Sequence, residues 1–393
     1  MTTAEDRAQL LAAIDRDAEE ACELSRWMAA NPELSLVEFE TSERYRTLLG
    51  GHGFEVGQGA AGMETAFLAH SGSARAPFRV ALLAEMDALP DVGHACGHNL
   101  SGPASLLAAW ALQTVLEPSE LRLVVVGCPA EETGVGKRRL VEAGIFDGVD
   151  IAMMAHASDM RRAHRLFLGN VKYDLVFSGR AAHAAAYPER GINALDGAVA
   201  CYNALALLRQ QLASGVRVHA IVTEGGSAAN VIPERAALQI WVRALDAELL
   251  EETVGRVLRC AEGAAHATGT ELDAQVLESS SPPLRPSLPL AACYRRQLDV
   301  LGLGETDHPP DACIGSSDIT HVSRVVPTIH PNFPIGSDLQ LHTRAFAEAA
   351  SSADGEAGLL EGACALALTV LELVRDPDLR DEIAHDFRNG DGL

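Results

Sequence analysis

Phe78-Arg-Val-Ala-Leu-Leu-Ala84 is apolar at all but one position and runs straight into Glu85-Met-Asp-Ala-Leu-Pro-Asp-Val-Gly-His-Ala-Cys-Gly-His98-Asn99. A short continuous apolar run without polar alternation is the pattern of an inner parallel strand, covered on both faces. The motif-bearing segment then lies at the carboxyl end of that strand, where open α/β sheets hold their ligands. Two more such runs occur. Leu121 to Cys128 delivers Pro129-Ala-Glu-Glu132, and Val149 to Ala155 delivers His156. Strand ends that present a thiol, imidazoles and carboxylates together point to one polynuclear metal site, because these are the donor types that divalent transition ions take.

Upstream, residues 4–29 and 37–50 read as amphipathic helices broken at Asn31-Pro32, and strands then alternate with helices to about residue 168. This is a doubly wound α/β pattern. From Val171 the order becomes strand (171–178), helix (191–213), strand (216–223), strand (235–243), helix (246–268), strand (271–277). That βαββαβ sequence is the ferredoxin-like split unit. Ser279-Ser-Ser-Pro-Pro-Leu-Arg-Pro286 reads as a return linker, after which helix and strand signals resume. The expected organisation is a discontinuous catalytic domain of residues 1–168 and 282–393, with an inserted domain of residues 169–281.

At 393 residues, two domains are the default, and 48% hydrophobic residues is a globular composition. A formal charge of -23 argues against nucleic acid or an anionic membrane as partner, since either requires a basic face. No apolar run approaches a membrane span, and Met-Thr-Thr-Ala-Glu-Asp-Arg lacks a basic region followed by an apolar core, so a cytoplasmic location is expected. The eight cysteines, Cys22, Cys96, Cys128, Cys201, Cys260, Cys293, Cys313 and Cys364, are scattered and read as reduced.

Cys96 stands apart because His94 and His98 flank it two residues away. That spacing in an irregular loop lets Cys96 and His98 reach neighbouring metals; a cysteine nucleophile paired with histidine is the other reading of the same residues. A bare Glu-Glu pair in an acidic protein is ordinarily a solvated loop. Glu131-Glu132 differs because it comes after an apolar strand and precedes Gly134-Val-Gly136-Lys, a tight turn opening a helix. Successive residues at a strand end point apart, so one carboxylate can bind metal while the other serves as general base. His156, alone, would be a satisfied core histidine, and His342, at the start of the last helical region, a surface or capping one.

Taken together, Asn31-Pro-Glu-Leu-Ser35, Asp87-Ala-Leu-Pro90, Gly93-His-Ala-Cys-Gly-His98, Pro129-Ala-Glu-Glu132, Gly179-Arg-Ala-Ala-His183, Ala229-Asn-Val-Ile-Pro233 and His342-Thr-Arg-Ala-Phe346 resemble metallopeptidase family twenty over nearly the whole chain. The similarity is to its amidohydrolase branch, which contains aminoacylases, indole-acetyl-amino-acid hydrolases, aminobenzoyl-glutamate hydrolase subunits and the β-alanyl-lysine dipeptidase. The resemblance implies two divalent ions, zinc first and manganese, cobalt or nickel as alternatives, held by Cys96, His98, Glu132, His156 and His342, with Glu131 as catalytic base. It implies that the inserted domain is a lid and homodimerisation domain whose His183 reaches the partner's site and polarises the scissile carbonyl. Asn230, Arg243 and Ser317 become substrate-binding candidates, and Asp87 and Asn99 the residues backing the ligands. The chain departs from the branch at Asn99, where many members have Asp, at Ala157 in place of Pro, and at His321 in place of Asn.

The expected reaction is therefore hydrolysis of the amide bond of an N-acyl amino acid or dipeptide. Trp110, Tyr187 and Phe333 are the aromatic residues near the motifs, and they form no evident cage for a bulky acyl group. A specialised biosynthetic or amide-forming enzyme on the same site, a cysteine amidase using Cys96 and a non-catalytic binding protein are the alternative readings.

Overall fold

The computed structural model describes residues 2–307 and 315–389; Cys313 lies outside the described residues. The chain divides into two compact units, one made of residues up to Leu166 together with those from Arg285 onward, the other of Phe167–Leu284.

Before Leu166 the first unit contributes strands β1 (Glu55–Gln58), β2 (Phe67–Ser71), β3 (Arg79–Glu85), β4 (Arg122–Cys128), β5 (Ile151–Met153) and β6 (His156–Ser158). The second unit holds β7 (Gly169–Ser178), β8 (Ala182–His183), β9 (Arg217–Glu224), β10 (Val231–Ile232), β11 (Arg235–Ala244) and β12 (Glu271–Val276). On its return to the first unit the chain adds β13 (Thr328–Ile329) and β14 (Asn332–Pro334).

The main sheet of the first unit runs β1-β2-β4-β3-β5-β13. Strands β4, β3, β5 and the edge strand β13 are parallel, and β3 and β4, with unbroken apolar runs, are buried from their second residue to their last. At the other edge, β1 and β2 form a hairpin that joins β4 antiparallel. The expected third strand, 149–155, is also shorter. Its chain leaves the sheet after Met153, and His156 begins β6, which pairs with β14 from 176 residues downstream. No local signal in 149–158 announces that second pairing.

Helix His98–Val115 is the centre of this unit, buried from His98 through Leu112 and packed against helices Ala4–Ala30 and Ala353–Arg375. Helix Ala4–Ala30 starts at a reciprocal cap in which Thr3 Oγ1 accepts from the Asp6 amide and the Asp6 carboxylate accepts from the Thr3 amide. Helix Ala353–Arg375 is long and apolar enough to cross a membrane, contrary to the reading of the sequence, yet Leu359, Leu366, Leu368, Leu371 and Leu373 are buried in the core. Its apolarity comes from being covered on several sides.

The second unit is a four-stranded antiparallel sheet in the order β12-β7-β11-β9, with helices Ala194–Leu208 and Ala247–Thr268 packed on it and on each other. In sequence order of its strands this is 4-1-3-2, the ferredoxin-like arrangement. The first helix is shorter than 191–213, because the Asn193 side chain caps Leu195 at its start and a 3₁₀ turn, Arg209–Gln211, succeeds its end. The expected linker begins inside the sheet, since Asn170 and Ser281 exchange backbone hydrogen bonds of 2.8 and 3.0 Å. Among the described residues all seven cysteines are free thiols.

Candidate metal centre

The carboxyl ends of β3 and β4 lie side by side, with Glu85 paired to Cys128 in the register, so the segments leaving both strands emerge together. From β3 the chain passes through a loop that closes at Gly97, with φ 89°, the residue before helix His98–Val115. A Cβ at Gly97 would lie 2.6 Å from the Ala157 Cβ. Glycine therefore lets this loop press on β6, and it brings the Cys96 Sγ to 3.6 Å from His156 Nε2. Ligands at about 2.3 Å (sulfur) and about 2.1 Å (nitrogen) around a tetrahedral ion stand about 3.6 Å apart.

From β4 the chain turns through Ala130, whose φ of 60° is left-handed. Glu38 holds that strained turn: its carboxylate accepts from the Ala130 amide at 2.9 Å and from the Thr65 hydroxyl at 2.9 Å. Burial raises the pKa of Glu38, with repulsion from Asp87 adding to it. Asp87 orients two ligand candidates at once. Its Oδ2 accepts from the Glu132 amide at 2.9 Å and the Ser35 hydroxyl at 2.7 Å, and its Oδ1 stands 3.2 Å from His98 Nδ1. His342 arrives on another segment, with φ 65° and its amide bonded to Ala95 O, and its Nε2 lies 3.5 Å from Glu132 Oε2.

Donor atoms of Cys96, His98 and His156 all lie within 4.8 Å of one another, as do those of Cys96, His98, Glu131 and Glu132. Glu132 Oε1 is buried with no hydrogen-bond partner, and His98 Nε2, Glu85 Oε2 and Asp87 Oδ1 are buried with no well-formed hydrogen bond, the two carboxylate oxygens meeting the His98 ring nitrogens only as ion-pair contacts of 3.2 Å. Buried polar atoms are normally satisfied, so this concentration of orphans fits a bound cation. The residues present therefore suit a pair of divalent ions.

The electrostatics agree. Burial raises the pKa of Glu132 to about 8, the nearby His98 charge opposing and Glu131 adding to the rise. Burial pushes the Cys96 thiol far up. It lowers His156 to about 3, helped by repulsion from His98. His98 itself is held well above the ordinary imidazole value: burial opposes its charge, but Glu85, Cys96 and Asp87 outweigh burial. Glu132, Cys96 and His98 trade protons for metal, whereas His156 has none to lose, so binding must release protons. Each displaced proton weakens apparent affinity about tenfold per pH unit below the group's pKa. With Glu132 at about 8, apparent zinc affinity is expected to fall at least about tenfold from pH 8 to pH 6. Calorimetric titrations in buffers of different ionisation enthalpy measure both affinity and protons released. A flat affinity with no release would contradict this assignment.

Several residues of this centre were not singled out from the sequence. Lys137 is fully buried, its ammonium 2.6 Å from Glu85 Oε1 and 2.5 Å from Asp318 Oδ1. Burial works against its charge, but the two carboxylates hold its pKa well above normal. Burial raises Asp318 to about 7 despite Lys137. His330 stacks on His156 with ring centroids 5.1 Å apart. The one signal available was a charged residue directly after the Gly134-Val-Gly136 turn; Asp318, its partner, is 181 residues away.

The remaining candidates fall elsewhere. Asn99 donates its side-chain amide to Ser25 Oγ at 3.2 Å and Ala350 O at 3.0 Å, tying the central helix to its neighbours, and its Oδ1 is buried without a partner. Ser317 is buried and its Oγ accepts from the Ile319 amide at 3.3 Å, which leaves the neighbouring Asp318 as the residue that meets Lys137. Trp110 and Phe333 are core residues, Trp110 stacked on His52 at 4.2 Å. Tyr187 is half exposed in the second unit.

In that unit His183 and Asn230 are brought together. His183 pairs with Val231 in the β8–β10 ladder, and the Ala184 amide donates to Asn230 O at 3.0 Å. His183 Nδ1 accepts from the amides of Ala185 and Ala186 at 3.2 Å, so Nε2 carries the ring proton of this exposed residue. Arg243 stands at the opposite end of β11, in register with Asn170 while Arg235 pairs with Ser178. Eight residues of strand separate the two ends by roughly 26 Å. Arg243 therefore lies a strand's length from the end of β11 that follows Asn230.

Comparison with known proteins bears on this geometry. Residues 168–268 match the model described as a peptidase dimerisation domain. The chain is 36% identical over 394 residues to Xaa-Arg dipeptidase from Mus musculus, covering 95% of this chain and 90% of that protein. The chain belongs to metallopeptidase family twenty. It is also 32% identical to a p-aminobenzoyl-glutamate hydrolase subunit from Escherichia coli, over 66% of this chain and 58% of that one. The fold is shared with a dinuclear metal binding peptidase of this family from Bacillus subtilis, at a TM-score of 0.70 and 21% identity over 91% of this chain and 99% of that one. Relatives named as peptidases and amidohydrolases make this family-twenty chain a metal-dependent hydrolase of amide bonds.

Proposed function

We propose that this chain hydrolyses the amide bond of dipeptides or N-acyl amino acids, with Cys96, His98, Glu132, His156 and His342 holding two divalent ions and Glu131 acting as general base. The observation that carries the reading is the convergence of donor atoms from Cys96, His98, Glu131, Glu132 and His156, with His342 Nε2 3.5 Å from Glu132 Oε2 and with atoms of His98 and Glu132 buried without a hydrogen bond. Bound there, two divalent ions supply Lewis acidity toward an amide carbonyl and acidify water near neutral pH. Zinc suits the cysteine donor, and manganese, cobalt and nickel also accept this mixed set.

Glu131 leaves the same strand end as Glu132, with an oxygen 3.9 Å from His98 Nε2. It takes the proton of the attacking water and returns it to the departing amine. Asp87 keeps His98 and Glu132 in place through its contacts with both, so its removal acts through those two residues. The products are a carboxylic acid and an amine, in the preferred case an amino acid. Dipeptides ending in arginine head the substrate panel, because Xaa-Arg dipeptidase is the name of a relative aligned along almost the whole chain. A screen of dipeptides and N-acyl amino acids with and without added metal tests the reading. Amide hydrolysis that survives complete metal removal but is lost on cysteine alkylation would replace it with a Cys96 nucleophile.

His183, by this reading, donates from Nε2 to the scissile carbonyl in the active site of a second copy of the chain. What supports an arrangement shared between copies is the match to a dimerisation domain and the separation of Arg243 from the His183–Asn230 pair. If it acts this way, mixing inactive His183→Ala with inactive Glu131→Gln protein is expected to restore roughly a quarter of wild-type activity under statistical subunit exchange. Verified heterodimers with no recovery would show that His183 does not act across subunits.

A further inference from the structure

We infer that Glu85 is itself a ligand of the metal pair, with Lys137 holding one carboxylate oxygen so that the other is presented to a cation. The inference rests on the dimetal reading proposed for this site and adds a residue to it.

Glu85 is the last residue of β3 and is fully buried. Its two oxygens have unlike surroundings. Oε1 accepts from Lys137 Nζ at 2.6 Å, and the same ammonium contacts Asp318 Oδ1 at 2.5 Å, while Asp318 Oδ2 accepts from the Lys137 amide at 2.9 Å. Lys137 is thereby pinned at both its backbone and its charged end, and it fixes the Glu85 carboxylate in one orientation. Oε2 is buried without a hydrogen-bond partner, 3.2 Å from His98 Nε2, which has none either, and 3.9 Å from His156 Nε2.

His98 Nδ1 lies 2.8 Å from the Asp87 carbonyl oxygen, an acceptor, so Nδ1 bears a proton. Nε2 therefore faces Glu85 Oε2 across 3.2 Å, and a metal ion bound between the two takes the place of any proton on Nε2, leaving a lone pair and a carboxylate oxygen aimed at one point. Donors bound at about 2.1 Å to one ion are separated by about 3.0 Å in octahedral and about 3.4 Å in tetrahedral geometry, which brackets this distance. The oxygens of Glu85, Glu131 and Asp318 also lie within 4.8 Å of one another, but the Lys137 ammonium already bonds two of those residues. The cation position open to Glu85 is the one it shares with His98.

The test is Glu85→Gln, which keeps the shape and an acceptor for Lys137 while removing the anionic donor. Metal content of dialysed protein, zinc affinity by competition and the visible spectrum of the cobalt-substituted protein are compared with wild type. Ligation predicts loss of one ion, or its binding weakened at least about a hundredfold, together with an altered cobalt spectrum. Retention of both ions with unchanged affinity and spectrum would overturn the inference. Wild-type protein that fails to bind two ions would instead remove the dimetal reading. If circular dichroism shows Glu85→Gln unfolded, Glu85→Asp replaces it. Aspartate keeps the charge but shortens the reach, so ligation again predicts a weakened ion and a changed spectrum, and no change would overturn it.

Discussion

Glu131→Gln is expected to lower turnover by at least about a hundredfold while the metal ions stay bound. The substitution keeps the shape of the side chain and removes the group that takes and returns the proton. A hundredfold loss corresponds to about 2.7 kcal/mol of transition-state stabilisation. Glu132→Gln has the same chemistry one residue along but is expected to lose metal, because Glu132 is the carboxylate in contact with His342 and anchored through its amide to Asp87. Steady-state kinetics and elemental analysis of both variants separate the roles. If Glu131→Gln loses metal and Glu132→Gln keeps it, the two assignments are exchanged.

Removing divalent ions is expected to abolish amide hydrolysis, and zinc, manganese or cobalt to restore it. The expectation comes from the donor set: without an ion, Glu132 Oε1 stays buried with no partner, and Glu85 Oε2 and His98 Nε2 have only each other at 3.2 Å. Cys96→Ser is expected to weaken metal retention, since serine is a poor anionic donor at neutral pH. Dialysis against a chelator, elemental analysis and re-addition measure all three effects. Full activity in protein shown to be metal-free would defeat the metal centre as a catalytic device.

Much of the site was legible in the sequence, because catalytic donors cluster at the ends of apolar runs. Cys96, His98, Glu131, Glu132 and His156 all stand beyond such runs. Glu38, Lys137 and Asp318 were not legible. Each acts through a partner far away in the chain, as in the 92-residue separation of Glu38 from Ala130 and the 181 between Lys137 and Asp318. Lys137 has the local sequence of an ordinary helix-surface lysine, and only burial between two carboxylates makes it otherwise. Asn99, next to a ligand candidate in sequence, donates its side-chain amide to Ser25 and Ala350, contacts that adjacency did not announce.

The sequence by itself determined the element order, the insertion of a βαββαβ unit and the donor types at three strand ends. Apolar periodicity and turn chemistry are local properties, and the motifs compress the metal chemistry into short segments. Only the tertiary structure decided that His156 leaves the sheet to pair with β14, that Arg243 lies a strand's length from Asn230, and that Glu85 offers one oxygen to His98 while Lys137 takes the other. Those facts depend on which distant segments pack together, and burial then sets the charge of every group between them.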